Sequence, residues 1–267
     1  MLKDITLGQY FPGASFVHRL DPRGKLALTV LYIAALFTAK SWSAYAFMFA
    51  LLVMCVAVSR TPIKTLLRGL RPIVVVIAIT AVLNVFFTPG EPIFTLWILK
   101  ISREGLTQAG KMLIRLVMLI CGTFLLTYTT SPLALTDAIE SLLNPLKKIR
   151  FPAHELAMMM SIALRFIPTL IEETDKIMSA QKARGADFET GSIIKRAKAL
   201  LPILVPLFVS AFRRADELAE AMEARCYHGG EGRTRMKQLH AVLRDYATLA
   251  GGIAVVAAVV VINRFLP

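Results

Sequence analysis

The 267-residue sequence predicts an all-α membrane protein: about five transmembrane helices, plus a cytoplasmic-side domain of long amphipathic helices. Three observations carry this prediction. Hydrophobic residues make up 56% of the chain and the mean hydropathy is +0.61, both far above a soluble average. Five windows with no charged residue punctuate the sequence. The stretch 153–227 then carries one local pattern twice, on two segments with helical apolar spacing.

Charge-free windows locate spans well because one Lys or Arg at the bilayer centre costs roughly 2.5 to 3.5 kcal/mol on insertion scales. The windows are 26–39, 41–59, 72–90, 116–136 and 246–263. The first lies between Lys25 and Lys40 and is the shortest. It reaches only ~21 Å at a 1.5 Å rise, so its flanking lysines are expected to snorkel. Each of the others supplies most of the ~20 residues that cross a ~30 Å hydrocarbon core. The apolar piece 93–99 is too short to span and is read as interfacial or re-entrant.

Orientation follows from basic residues near the spans. Lys3, Arg19, Arg23 and Lys25 precede the first window, and Arg60, Lys64, Arg68 and Arg71 join the second to the third. Both regions are expected to be cytoplasmic. Residues 1–130 then form an N-terminal membrane domain of four spans, 131–244 a cytoplasmic section and 245–267 a C-terminal transmembrane helix.

Within the cytoplasmic section, Ser131-Pro132 is a helix start, with Ser as N-cap and Pro at the first helical position. A short amphipathic helix runs to about Leu143. Asn144-Pro145 and Phe151-Pro152 break the chain around Lys147, Lys148 and Arg150, cations suited to anionic headgroups. From 153 to 184 apolar residues recur at helical spacing, but Arg165, Glu172, Glu173, Asp175 and Lys176 make the segment too polar to span. It is expected to lie on the membrane face or on other helices. A second segment, from Ser192 to about Arg225, holds an uncharged run at 199–212 and prolines at 202 and 206, which are expected to bend it.

The two segments end alike. At one constant shift, Asp175 superimposes on Asp216, Ala180 on Ala221, Ala183 on Ala224 and Arg184 on Arg225. Gly185 follows the first arginine and Cys226 the second. Arg near a helix C-terminus stabilises the dipole by roughly 0.3 to 1 kcal/mol, and Gly after it is an ordinary cap. That accounts for one tip but gives no reason for a repeat. Ala before each Arg keeps the shaft narrow, and a guanidinium at its end can make bidentate bonds to carboxylate or carbonyl oxygens. The tips read as two plugs for two similar sockets on another protein.

Other chemistry is missing its residues. His154-Glu155 is followed by Leu-Ala-Met, so an HExxH zinc site fails, and no GxxxxGK[ST] loop is present. Glu172-Glu173 would suit an EExxxR protease signature, but position 177 is Ile. These carboxylates are instead expected to solvate the helix face. Cys55, Cys121 and Cys226 offer no disulfide framework. The N-terminus lacks the charged-then-apolar pattern of a cleavable signal peptide. The net charge of +13, from 31 Lys and Arg against 18 Asp and Glu, fits cytoplasmic retention of cations, and no nucleic-acid motif accompanies it. Arg115, at the outer end of the fourth window, is expected to snorkel, and Arg165 to pair with Glu172 or a neighbouring chain.

Three pieces of sequence resemble the transmembrane T component of energy-coupling-factor (ECF) transporters. They are His18-Arg-Leu-Asp-Pro-Arg-Gly-Lys25, Leu164-Arg-Phe-Ile-Pro168 with Glu172, and the two Ala-Arg tips. With the arrangement of spans they cover nearly the whole chain. The resemblance implies that Ala183-Arg184-Gly185 and Ala224-Arg225-Cys226 are coupling tips that dock into two ABC-type ATPase subunits. It implies a membrane-embedded, substrate-binding S component as a further partner, in a prokaryotic cell membrane. ATP and Mg would be bound by the ATPase subunits and no cofactor by this chain, which is expected not to be an enzyme. Vitamins or other micronutrients would be the cargo. The sequence departs from the family pattern at Cys226, where Gly is expected, which predicts a looser second cap. The alternative is a self-sufficient permease or channel; it would need charged or broken helices meeting at the midplane, and the one interior asparagine, Asn84, is a poor translocation path.

Overall fold

A computed structural model describes residues 10–89, 92–96, 99–149, 151–188, 192–229 and 239–265. Helices dominate. Helix α1 (Pro22–Thr38) starts at an Asp21 N-cap, whose carboxylate accepts the Arg23 N–H, with Pro22 at the first position. Helix α2 (Trp42–Ser59) is capped by Ser41 and stops at Arg60, which takes a left-handed φ of 55°. Helix α3 (Ile63–Leu70), a 3-10 turn (Arg71–Ile73) and α4 (Val74–Phe87) form one helical run, Ile63–Phe87. The piece 93–99 falls in a hairpin: β1 (Pro92–Leu96) pairs antiparallel with β2 (Leu99–Ser102), Phe94 opposite Ile101. Residues 97 and 98 of that piece lie outside the described ones.

Helix α5 (Arg103–Thr129) begins well before the fourth charge-free window and ends before it does. Charge alone is a poor boundary here because the cations on α5 find partners. Arg115 donates to the Ala39 carbonyl (3.0 Å) with its guanidinium 5.7 Å from both the Phe37 and Tyr45 rings, and Lys111 lies over Trp42. Arg115 therefore ties the α1–α2 turn to the middle of α5. Thr136 belongs to the next helix, α6 (Pro132–Leu143), where the Ser131 hydroxyl accepts the Ala134 N–H as expected. After a 3-10 stretch (Asn144–Ile149) come α7 (Ala153–Ala183), α8 (Ile193–Glu223) and α9 (Leu243–Phe265).

Five of these elements are long and apolar enough to cross a membrane: α2, the Ile63–Phe87 run, α5, α7 and α9. The number matches the expectation but the membership differs. At 17 residues, α1 is short, and α7 qualifies because its stretch from Ala153 to Ile171 carries only Glu155 and Arg165 as charges. Its many other charges are gathered at the far end.

The chain divides into two compact units. One contains α1 to α5, the first half of α6, and α9. Its core is built by Ala35, Leu36, Tyr45, Met48, Met118 and Val259, from α1, α2, α5 and α9. Close approach is set by glycine: a Cβ on Gly122 would sit 2.3 Å from the Tyr32 ring, whose hydroxyl donates to the Met118 carbonyl at 3.0 Å. Around this core, side chains such as Phe37, Val75 and Phe87 are exposed. Apolar surface of that extent suits lipid rather than water.

The same unit explains the residues 18–25. Lys25, 6% exposed, donates to the carbonyls of Thr129 (2.9 Å) and His18 (3.2 Å). Asp245, equally buried, accepts the N–H groups of Asp21 (2.9 Å) and Val242 (2.8 Å), while Arg244 donates to the Arg19 carbonyl. The entry to α1, the end of α5 and the start of α9 are thus joined by buried polar bonds, each answering a backbone group that would otherwise be orphaned. Burial outweighs the two nearby aspartates and lowers the Lys25 amine from its ordinary 10.5 to about 8.

Candidate functional site: two arginine tips

The second unit contains the end of α6 with α7 and α8. Both long helices run 31 residues, and neither Pro168 in α7 nor Pro202 and Pro206 in α8 interrupts them. Helix α6 is held to α7 by Glu140 Oε1 and His154 Nδ1, 2.9 Å apart, which gives His154 a structural partner.

The ends of α7 and α8 close in the same way. At the first, Arg184 is followed by Gly185 at φ 87°; Gly185 donates to Lys182 O (3.0 Å) and Ala186 to Gln181 O (3.0 Å). At the second, Arg225 is followed by Cys226 at φ 56°; Cys226 donates to Glu223 O (2.8 Å) and Tyr227 to Met222 O (3.1 Å). This is the 6→1, 5→2 bond pair of a Schellman motif, repeated at equivalent positions of the two segments. The looser second cap does not appear. Cysteine accepts the left-handed conformation that glycine takes at the first tip, at a cost of about 1 kcal/mol for a side chain there.

The motif turns the chain sharply after each arginine. Ala183, Arg184, Gly185, Ala224, Arg225 and Cys226 are all exposed. Among the described residues, neither guanidinium has a hydrogen bond or ion pair within the chain, so each is available to an external acceptor. Ala180 and Ala221, one turn back, are exposed as well and keep the shafts slim.

One pairing was not legible from the sequence. Glu173, expected to face solvent with Glu172, is instead gripped by α8: Ser210 Oγ donates to its Oε1 at 2.5 Å and Arg214 NH2 to its Oε2 at 2.8 Å. Ser210 and Arg214 are one helical turn apart and share a face, so they reach one carboxylate together. Arg165 and Glu172, the pair expected instead, are both exposed and form no ion pair with each other. Asn84, the candidate polar group of a permease, donates to the Thr80 carbonyl of its own helix at 2.9 Å. Among the described residues no group of three or more His, Cys, Asp or Glu could hold a metal ion.

Five apolar helices, and a second unit presenting paired arginine-tipped helices, define a multi-pass membrane protein. Residues 13–236 match the family model CbiQ, described as "Cobalt transport protein", and the chain belongs to that family. Its relatives agree. The chain is 58% identical over 248 residues to the energy-coupling factor transporter transmembrane protein EcfT of Clostridium kluyveri, covering 92% of each chain. It is 53% identical over 266 residues to EcfT of Thermosediminibacter oceani (99% of this chain, 100% of the relative). It is 48% identical over 258 residues to EcfT of Bacillus subtilis (96% and 97%). The protein is a transmembrane component of the energy-coupling factor transporter type.

Proposed function

We propose that the chain is the energy-coupling subunit of an ABC importer for vitamins or other micronutrients. The arginine tips of α7 and α8 dock into two ATPase subunits, which bind ATP and Mg and perform the hydrolysis. Their closure moves the two helices and reorients a membrane-embedded S component that holds the substrate. The observation that carries this reading is the repeated closure of the tips: the same backbone bonds project an exposed arginine twice, at equivalent positions of the repeat. The exposed apolar side chains of α8, among them Leu201, Val205, Phe208 and Phe212, supply a surface for an apolar partner or lipid. We assign the N-terminus and both tips to the cytoplasm of a prokaryotic cell, in keeping with the cations Arg19, Arg23 and Lys25 at the entry to α1.

The test is uptake of the S component's substrate by the assembled complex in proteoliposomes. Arg184→Ala with Arg225→Ala should abolish ATP-driven uptake, and each single change should reduce it. Wild-type uptake by the double variant would refute the coupling role. A cysteine introduced at Ser192 should be modified from the cytoplasmic side alone; labelling from outside intact cells would overturn the orientation. A permease would transport without the ATPases, and purified chain alone should show no uptake.

A further inference from the structure

The shift that superimposes the two tips also relates Glu173 to Arg214, the two residues that join the helices. Equivalent positions of the two copies are therefore the ones in contact. Arg184 stands as far beyond Glu173 in the sequence as Arg225 stands beyond Arg214. Each arm thus extends about 16 Å past the joint at a rise of 1.5 Å per residue.

The joint lies at unequal distances from the linker between the helices. Helix α7 ends at Ala183, a short way past Glu173, whereas α8 begins at Ile193, far before Arg214. Beyond the joint, no described residue of 174–184 or 215–225 is buried. Ser210 adds a second bond to the same carboxylate, and the two bonds hold it in a fixed plane.

We propose that Glu173, Arg214 and Ser210 form a pin that fixes the contact point of α7 and α8 and so gives the two tips arms of equal length. Glu173 and Arg214 are positioning residues. They determine where the two arginines stand relative to each other. The proposal rests on the coupling function of the tips. Two closing sockets can turn the approach of the tips into a defined movement of both helices only if the helices keep a common contact point, and the pin supplies that constraint.

The experiment uses the full complex of this chain with its ATPases and an S component, in proteoliposomes. The native cysteines are kept, and spin labels carried on noncanonical amino acids are placed at Ser179 and Glu220, which are equivalent by the same shift, in the nucleotide-free complex. A narrow distance distribution is expected for the pinned protein. Arg214→Ala should broaden it and lower substrate taken up per ATP hydrolysed at least several-fold, with ATP hydrolysis retained. The exchange Glu173→Arg with Arg214→Glu should restore at least half of both. Should Arg214→Ala fail to assemble, Glu173→Gln, which keeps the shape and loses the charge, should give a smaller change in the same direction. A narrow distribution with wild-type uptake per ATP in Arg214→Ala or, where that complex does not form, in Glu173→Gln would overturn the pin. If the variant lacking both tip arginines also transported normally, the coupling function itself would fall; if that variant were inactive, only the pin would.

Discussion

Asp245, at the start of α9, accepts the backbone N–H of Asp21, at the start of α1, from the opposite end of the chain. Its other oxygen takes the N–H of Val242, so one buried carboxylate closes two helix entries at once. Asp245→Ala would leave the Asp21 N–H without a partner in a site from which water is excluded. A loss of about 2 kcal/mol is expected, in the range for an orphaned buried donor. Asp245→Asn keeps one acceptor oxygen and should lose less. Thermal unfolding in detergent ranks the variants, and equal midpoints for wild type and Asp245→Ala would remove the carboxylate from the account of this fold.

Lys25 gives the same region a pH dependence. Its amine is charged up to 10.5 in the unfolded chain but only up to about 8 in the folded one, because burial disfavours the cation. Below about 8 the lysine is protonated in both states and the folded state carries the full desolvation cost. Between about 8 and 10.5 the unfolded chain holds the extra proton, so folding stability rises with pH across that window. Lys25→Met has no such proton. The unfolding midpoint of wild type should gain on that of Lys25→Met as the pH is raised from about 7.5 to about 9.5. Parallel curves would mean that the amine is not lowered.

The contrast between these residues and the tips shows what a sequence exposes. The tips are repeated, and a single constant shift finds Arg184 and Arg225 without coordinates. The joint between Glu173 and Arg214 obeys the same shift, yet Glu and Arg do not resemble each other and self-comparison passes over them. Opposite charges at equivalent positions show themselves only when the helices meet. The start of α5 was hidden for a related reason. Lys111 and Arg115 look like the edge of a span until Trp42, Phe37, Tyr45 and the Ala39 carbonyl are placed around them. Residues 18–25 were recognisable as a pattern, but their purpose lies in Thr129 and Asp245, which are far away in sequence.

Glycine supplies a paired test of packing. A Cβ at Gly122 would come within 2.3 Å of Tyr32, and the ring cannot retreat without weakening its bond to the Met118 carbonyl. Gly122→Ala should cost about 1 to 3 kcal/mol by overpacking. At Gly24, in the first turn of α1, a Cβ meets nothing within 4 Å. Gly24→Ala should therefore be neutral or mildly stabilising, since alanine is the better helix former. Unfolding midpoints that moved together would show that close approach at Gly122 is not limiting.

The tips themselves separate conformational strain from contact. Gly185 has φ 87° and nothing within 4 Å of an added Cβ, so the penalty of Gly185→Ala is conformational and amounts to about 1 kcal/mol. Cys226 already bears a similar penalty at φ 56°, and Cys226→Gly should relieve it. Cys226→Val should be worse than the native residue, because a β-branched side chain is least tolerated there. The amides of Ala186 and Tyr227 close the two motifs, so their hydrogen exchange reads each tip separately. Exchange at Ala186 should speed up in Gly185→Ala, and exchange at Tyr227 should slow in Cys226→Gly and speed up in Cys226→Val. If exchange at Tyr227 were the same in all three forms, the left-handed residue would not be what holds the second arginine in place, and the likeness of the two tips would be one of sequence alone.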